Sequence, residues 1–309
     1  MDWADRFAAY VKHPRSAWPE GRTLQADKLS ACAARLAAAS SSTLPEIVAQ
    51  VVAAAEQRLR SAPETLFLVN CGSSGSHWIE AMLAALPGVH TCGEVYLPTA
   101  AALAPPEGIV HDPAFLDAVH QLHREDPTRP VLESDLLINS AHSWGPHDRM
   151  GSTARCALLV RDPLDVVLSR TFRKPKLRRH INPAAHDDEY LEQNATFVEK
   201  FYRAALRRKP DCVVRYEDMR DAPREHLARL AALVGVRASD SDLSAIAASY
   251  SAQTQTQQGR RTTNLFQGPR SGESPALREW LSGRLAGIRA ALGYEPASFP
   301  LDAAGGPRR

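Results

Sequence analysis

The sequence lacks the features that define several large classes of protein. No stretch approaches the roughly 18 apolar residues of a membrane-spanning helix, and the N-terminus carries acidic residues where a signal peptide needs basic ones. Its five cysteines are widely spaced and include no C-x-x-C pair, which argues against a disulfide framework and against a thiolate zinc site. We therefore expect a cytoplasmic protein with reduced thiols and no membrane partner.

An excess of charge of either sign is also missing. The 37 Lys and Arg residues almost balance the 35 Asp and Glu residues, so the formal net charge is +2. This balance gives no global case for a nucleic-acid partner. With 309 residues and 44% hydrophobic composition, the chain is typical of an ordinary globular protein, which at this length buries roughly 75% of its unfolded surface.

The hydrophobic pattern changes near residue 62. Apolar residues recur at helical spacing over residues 27–60, with a Ser-rich break at 40–45, so we assign residues 1–62 to a helical N-terminal segment. An α/β domain is predicted over 63–296 and a flexible tail over 297–309. The buried-strand candidates of the α/β domain are residues 65–70, 130–135, 155–160 and 212–216. Later helices are predicted at about 187–208, 223–234 and 274–292. Strands that alternate with helices predict a three-layer fold with a parallel sheet.

The segment after the first strand candidate is suited to binding an anion. Residues 70–78 have the sequence N-C-G-S-S-G-S-H-W, in which small residues let successive N–H groups curl around a phosphate or sulfate at a helix start. The segment lacks the Gly-Lys pair of a Walker A loop, and it fits neither the Rossmann glycine pattern nor the hydrolase nucleophile elbow. A plain strand-to-helix connection is the alternative.

A second candidate anion site follows the strand candidate at 155–160. Residues 161–169 have the sequence R-D-P-L-D-V-V-L-S, which places Arg161 at the end of a strand and Ser169 about two helical turns beyond it. Open parallel sheets bind ligands at this edge, and the guanidinium and the hydroxyl could reach one phosphate. The alternative is an Arg–Asp pair that caps a helix.

Together these segments resemble the PAPS-dependent sulfotransferase family, whose donor is 3′-phosphoadenosine 5′-phosphosulfate. Residues 73–78 are similar to the family's [RK]-S-G-T-T-W loop, and residues 161–169 match every specified position of its R-[ND]-P-x-D-V-x-x-S motif. Residues 214–218, V-R-Y-E-D, and the later L-G-Y resemble further family segments. The resemblance covers about residues 65–294 and implies a P-loop-like nucleotide-binding core.

The resemblance also implies roles for individual residues. The loop residues would bind the 5′-phosphosulfate, Trp78 would stack on adenine, and Tyr216 would touch the nucleotide. Arg161 and Ser169 would bind the 3′-phosphate, as would Arg270 in a partial match to a glycine-rich loop, with Arg260 and Arg261 as alternatives. No metal is required, because a cationic side chain can do what Mg²⁺ does in phosphoryl transfer. The predicted loop residues are Ser73, Ser74, Gly75, Ser76 and His77.

One position departs from the family pattern. Ser73 stands where the family has Lys or Arg, the cation that neutralises charge on the leaving phosphate, and loss of such a group can cost about 10²- to 10³-fold in rate. His77, Lys174 and Lys176 are the possible substitutes. Without a substitute, the alternative is a PAPS-binding or scaffold protein that has lost catalysis. A different transferase, such as an ATP-dependent kinase, is the second alternative.

Removal of the acceptor's proton needs a general base. Glu94 is our first choice, because T-C-G-E at 91–94 resembles the base-bearing segment of protein-tyrosine and some bacterial carbohydrate sulfotransferases. Asp135 or Glu133, at the end of the strand candidate at 130–135, is the second choice, and His142 is the third. We predict transfer of a sulfuryl group from PAPS to a hydroxyl, or an amine, of a small-molecule or carbohydrate acceptor. A homodimer is the open alternative to a monomer.

Overall fold

A computed structural model describes residues 2–17, 23–61, 65–95, 112–142, 144, 147–148, 154–172, 187–251 and 274–294. The chain divides into two compact units. The first comprises Met1–Asn70, Gly75–Val160 and Pro210–Leu265, and the second comprises Cys71–Ser74, Arg161–Lys209 and Phe266–Arg309.

A parallel five-stranded sheet forms the centre of the first unit. The strands are β1 (Thr65–Val69), β2 (Val89–Glu94), β3 (Leu136–Ala141), β4 (Ala154–Val160) and β5 (Cys212–Arg215). Within the described residues the strand order is β2-β3-β1-β4-β5, and each neighbouring pair runs parallel. Because all strands point the same way, the residues that follow β1, β2 and β3 emerge at one carboxyl edge.

Helices of the first unit cover both faces of this sheet. The helices are α1 (Trp3–Lys12), α2 (Thr23–Ser40), α3 (Leu44–Arg60), α4 (Ser76–Ala84), α5 (Pro113–His123), α8 (Tyr216–Asp221), α9 (Pro223–Leu233) and α10 (Asp240–Ser249). One hydrophobic core contains Leu66 and Leu68 of β1 together with apolar residues of α4, α8, α9 and α10. The other contains Cys92 of β2 and Leu137 of β3 with residues of α1, α2, α3 and α5. The predicted α/β fold with a parallel sheet between helical layers is confirmed.

The second unit contains helices α6 (Pro163–Phe172), α7 (Asp187–Leu206) and α11 (Pro275–Ala291). Ion pairs join them. Arg289 of α11 donates from Nε and Nη2 to the two carboxylate oxygens of Asp162, at 2.9 Å each, just before α6. Arg284 of α11 contacts Glu192 at 2.9 Å and Glu199 at 2.6 Å on α7. Forked contacts of this kind fix the relative placement of helices within the unit.

One strand prediction is wrong, and two strands, β2 and β3, were not predicted. Residues 130–135 form no strand, because the Asp135 carboxylate accepts from the Leu132 N–H at 3.0 Å and the Asp135 N–H donates to the Leu132 carbonyl at 3.2 Å, which closes a turn. Strand β3 starts only at Leu136. Strand β2 was not predicted, since V-H-T-C-G-E has no apolar run. The domain boundaries at 62/63 and 296/297 stay predictions.

No single helix among the described residues has the length and apolar content to cross a membrane, although α2 and α3 pass the same test jointly as a pair bent by 93°.

Candidate active site

The loop after β1 has a backbone built to bind an anion. Gly72, Ser73 and Gly75 all have positive φ, at 77°, 58° and 84°. Alternation of left-handed with ordinary backbone conformations turns successive N–H groups toward one concave side. Gly75 is the N-cap of α4, whose first N–H groups carry partial positive charge. The loop geometry therefore fits the predicted phosphate cradle.

Gly75 is required by the close approach of Tyr216. A Cβ at position 75 would lie 2.6 Å from Cδ2 of Tyr216, a distance that real Cβ contacts do not show. Tyr216 is buried and packs edge-on against Trp78, with ring centroids 6.1 Å apart. Trp78 is 9% exposed, and its Nε1–H donates to the Tyr250 carbonyl at 2.9 Å. Both aromatic rings belong to the core, and the adenine-stacking role of Trp78 stays a prediction.

Arg161 contacts the anion loop within the second unit. Its Nη1 donates to the carbonyl oxygen of Ser73 at 3.0 Å, and its side chain is almost completely buried. Asp165, one turn along α6, lies 3.8 Å from Nη2. The guanidinium that the sequence placed after β4 therefore faces the glycine bend. Ser169 lies buried on α6.

A second arginine, outside the two motifs, also engages the loop. Arg170 donates from Nη1 to the Cys71 carbonyl at 2.8 Å and from Nε to Oδ1 of Asn194 at 3.0 Å. Its guanidinium carbon lies 4.5 Å from the centre of the Phe197 ring, a cation–π distance. Two guanidinium groups thus hold the carbonyls of Cys71 and Ser73 within the second unit. The sequence feature that could have identified Arg170 is its position directly after Ser169.

Tyr202 of α7 links the loop to the residue that follows β4. Its hydroxyl donates to the Arg161 carbonyl at 3.2 Å and accepts from the Arg161 N–H at 3.1 Å. Burial, and next the neighbouring Cys71 thiol, raise the pKa of Tyr202 well above its usual value, so the hydroxyl stays protonated. No sequence pattern singled out Tyr202, because its partners lie on remote segments.

The hydroxyl group of Ser73 is available to bind a ligand. Its Oγ is buried and has no hydrogen-bond partner among the described residues. Buried hydroxyls are nearly always satisfied, so this atom is suited to a ligand that the structure does not contain. Position 73 bears no cation, but the Arg161 guanidinium lies on its carbonyl.

Glu94 and His142 meet at the carboxyl edge of the sheet. Glu94 ends β2 and His142 follows β3, the neighbouring strand. The Glu94 Oε1 lies 2.9 Å from Nε2 of His142, and the His142 Nδ1 lies 2.9 Å from the Asn70 carbonyl oxygen at the entry to the loop. The Nζ of Lys28 on α2 donates to the Glu94 carbonyl. The first-choice base and the third-choice base therefore form one hydrogen-bonded pair.

Asp135 lies at the other edge of the sheet. It precedes β3, so it stands at the amino end of the strand, and its Oδ2 is 2.8 Å from Nε2 of the buried His90. Burial, the largest effect, lowers the pKa of His90, while the hydrogen bond to Asp135 opposes this. The expectation that Asp135 ends a strand was wrong, and the reason for choosing it as a base is removed. Glu133 is exposed in the same turn, where it binds Ser61 and Gln57.

Of the remaining site candidates, the structure describes only His77. His77 is exposed on the first turn of α4, with Nδ1 3.6 Å from Oε2 of the buried Glu80. Lys174, Lys176, Arg260, Arg261 and Arg270 lie outside the described residues. Within the part of the chain that the structure describes, no group of three or more His, Cys, Asp or Glu side chains could hold a metal ion.

Comparison with known proteins gives a family. The model of the sulfotransferase domain family matches residues 44–278, well over half of the chain. A search of curated proteins gave no match.

Solved structures of sulfotransferases are also similar. A mouse sulfotransferase complexed with PAP is 12% identical, with 74% of this chain and 85% of that chain covered and a TM-score of 0.46. A Mycobacterium tuberculosis sulfotransferase is 10% identical, with 93% of each chain covered and a TM-score of 0.44. The sulfotransferase domain of a Synechococcus olefin synthase is 19% identical, with coverages of 75% and 95% and a TM-score of 0.41. Since these TM-scores lie below 0.5, the family assignment rests on the family model.

Proposed function

Because this chain belongs to the sulfotransferase domain family, we propose that it transfers a sulfuryl group from PAPS to a hydroxyl of a small-molecule or carbohydrate acceptor, an amine being the second choice. The observation that carries the proposal is the contact of the Arg161 guanidinium with the Ser73 carbonyl, 3.0 Å away, in a loop whose backbone is shaped for an anion.

The donor carries a phosphosulfate on the 5′ oxygen of its ribose and a phosphate on the 3′ oxygen, and a different set of residues binds each group. The loop residues and the start of α4 hold the 5′-phosphosulfate through backbone N–H groups. Arg161 and Ser169 bind the 3′-phosphate, as the family motif implies. Trp78 and Tyr216 stay proposed nucleotide contacts, with the small exposed part of Trp78 as the surface that adenine would meet.

The chemistry is an in-line displacement at sulfur. The acceptor oxygen forms a bond to sulfur while the bond from sulfur to the bridging phosphate oxygen breaks, and the phosphate keeps the electron pair. Glu94 takes the proton of the acceptor hydroxyl. Its side chain is 26% exposed at the carboxyl edge of the sheet, so a substrate can reach it. Positioning and charge stabilisation supply the remainder of the rate enhancement. A metal-free reaction in the cytoplasm stays a prediction.

Calorimetric titration tests the donor assignment. We expect adenosine 3′,5′-bisphosphate (PAP) to bind more tightly than about 50 μM, near −6 kcal/mol, and adenosine 5′-monophosphate to bind more weakly because it lacks the 3′-phosphate. Incubation with PAPS and a panel of phenols, sugars and amines then gives PAP and a sulfated product. Absence of PAP binding, or equal affinity for the two nucleotides, would overturn the proposal.

A further inference from the structure

His142 bridges the entry to the anion loop and the proposed base. Its two ring nitrogens each have one partner at 2.9 Å, the Asn70 carbonyl oxygen for Nδ1 and Oε1 of Glu94 for Nε2. Asn70 is itself held in place, since its side-chain amide donates to Oγ of Ser140 at 3.0 Å. The imidazole is therefore fixed at both nitrogens.

The two hydrogen bonds of His142 determine how many hydrogen atoms the His142–Glu94 pair must hold. A carbonyl oxygen has no hydrogen to donate, so Nδ1 of His142 must carry one. Two acceptors cannot approach to 2.9 Å without a hydrogen between them, so one more hydrogen lies between Nε2 and Oε1 of Glu94. We assign this hydrogen to the ring, so that Nε2 donates and the Glu94 carboxylate accepts.

We propose that Glu94 and His142 act as one unit, in which Glu94 accepts the acceptor's proton and His142 is the positioning residue that holds it ionised and aimed. The inference rests on the proposed function. In the reaction, the acceptor O–H proton moves to the Glu94 carboxylate as the oxygen bonds to sulfur, and the electron pair of the broken S–O bond goes to the phosphate. The pair changes from net zero to net positive as the leaving group gains negative charge, and it returns the proton to solvent.

A second histidine–carboxylate pair in the same unit, His90 with Asp135, is buried and serves as a structural comparison for the His142–Glu94 pair. Nε2 of His90 lies 2.8 Å from Oδ2 of Asp135, but the side chains are only 2% and 6% exposed and lie at the amino edge of the sheet. The His142 and Glu94 side chains are 28% and 26% exposed at the carboxyl edge. Similar geometry with different exposure makes His90 a matched control.

Histidine-selective nitrogen NMR tests the shared hydrogen without any acceptor. We expect both ring nitrogens of His142 to carry hydrogen at neutral pH in the wild type. In Glu94→Gln the amide can donate to Nε2, so the ring should become neutral with its hydrogen on Nδ1 alone. A wild-type ring with hydrogen only on Nε2, or a spectrum that Glu94→Gln leaves unchanged, would overturn the inference.

Two substitutions of His142 separate its two contacts. Asparagine places an amide where Nδ1 lies and keeps the bond to the Asn70 carbonyl, whereas glutamine reaches Glu94 in place of Nε2. With PAPS and 4-nitrophenol as probe acceptor, we expect His142→Asn to lower kcat about 10- to 100-fold. The KM for PAPS should stay unchanged, and His142→Gln should recover most of the loss. His90→Gln should lower Tm and leave kcat unchanged.

The outcomes separate this inference from the proposed function. Failure of the wild-type protein to bind PAP would contradict the donor proposal. Normal PAP binding with equal kcat in wild type and His142→Asn would contradict only the role of His142. If 4-nitrophenol is not turned over, the NMR comparison of wild type with Glu94→Gln decides, because it depends on the pair alone.

Discussion

Replacement of Gly75 by alanine is the most sharply defined perturbation of the anion loop. Position 75 has φ of +84°, and the new Cβ would lie 2.6 Å from Cδ2 and 2.9 Å from Cε2 of Tyr216. Tyr216 cannot easily retreat, since its ring is buried against Trp78. The substitution therefore adds backbone strain and a steric overlap at the same site.

The two contributions can be worked out separately. A left-handed conformation costs a non-glycine residue roughly 1–2 kcal/mol, and overpacking of a buried contact costs roughly 1–3 kcal/mol. Gly235 offers a matched control, because its φ is +67° and nothing lies within 4 Å of an added Cβ. We expect Gly235→Ala to lower the free energy of unfolding by the strain alone, and Gly75→Ala to lower it by the sum, about 2–5 kcal/mol.

Urea unfolding of both variants measures these costs, and PAP titration measures the effect on the loop. Gly75→Ala should also weaken PAP binding, because relief of the overlap displaces the first N–H groups of α4, whereas Gly235→Ala should not. Truncation of the ring in a Gly75→Ala/Tyr216→Ala double variant should remove the overlap and leave the strain, with Tyr216→Ala alone as the reference for the lost ring. Equal destabilisation by Gly75→Ala and Gly235→Ala would refute the role assigned to Tyr216.

Three further predictions concern charge. Arg58 and Asp117 form an ion pair with both side chains only 1% exposed, and Arg58 also donates to the carbonyls of Leu132 and Asp135. Arg58→Met should cost about 3–5 kcal/mol in urea unfolding, and only part of it should be recovered when Asp117→Leu is added, because the two carbonyls stay without their donor. Burial lowers the pKa of His120 to about 3. The unfolded chain then takes up the proton near pH 6.5 and the folded one does not, so stability is lost as the pH falls below about 6.5. His120→Gln should remove roughly 2 kcal/mol of the stability difference between about pH 7 and pH 5, and an unchanged difference would contradict the burial argument. Ser73→Lys should speed formation of PAP from PAPS; an unchanged rate would show that another group already supplies that charge.

The parts of the site that short motifs encode could be predicted from sequence. A run of small residues between a buried strand and a helix is recognisable locally, and so is an arginine that ends a strand before Pro163. The structure brings these segments together through the contact of Arg161 with the Ser73 carbonyl. Both motifs lie within a few residues of the end of a strand. Because the strands are parallel, both motifs must lie at the carboxyl edge of the sheet.

Strands with buried polar residues could not be predicted from hydrophobicity. In β3, Asn139 and Ser140 are buried because His120 and Asn70 bind their side chains. In β2, Thr91 donates to Glu125 at 3.1 Å. These partners lie far away in the chain, so the local sequence of either strand does not show what pairs with its polar residues.

The pairing of Glu94 with His142 was inaccessible for the same reason. It depends on β2 lying next to β3 and on where β3 ends, and both facts come from the register between the two strands. Arg170 and Tyr202 likewise gain their roles from loop carbonyls and backbone that remote segments supply.

The central claim is that Arg161 recognises the 3′-phosphate of an adenine nucleotide beside the anion loop. Calorimetry of wild type, Arg161→Ala and Arg170→Ala with both PAP and adenosine 5′-monophosphate tests it most directly. We expect Arg161→Ala to weaken PAP binding by about 1.5–3 kcal/mol, roughly 10- to 150-fold, and to change the monophosphate affinity far less. Arg170→Ala, which removes the contacts to the Cys71 carbonyl and to Asn194, should weaken both nucleotides alike. An equal loss for both nucleotides in Arg161→Ala, or no loss at all, would contradict the account.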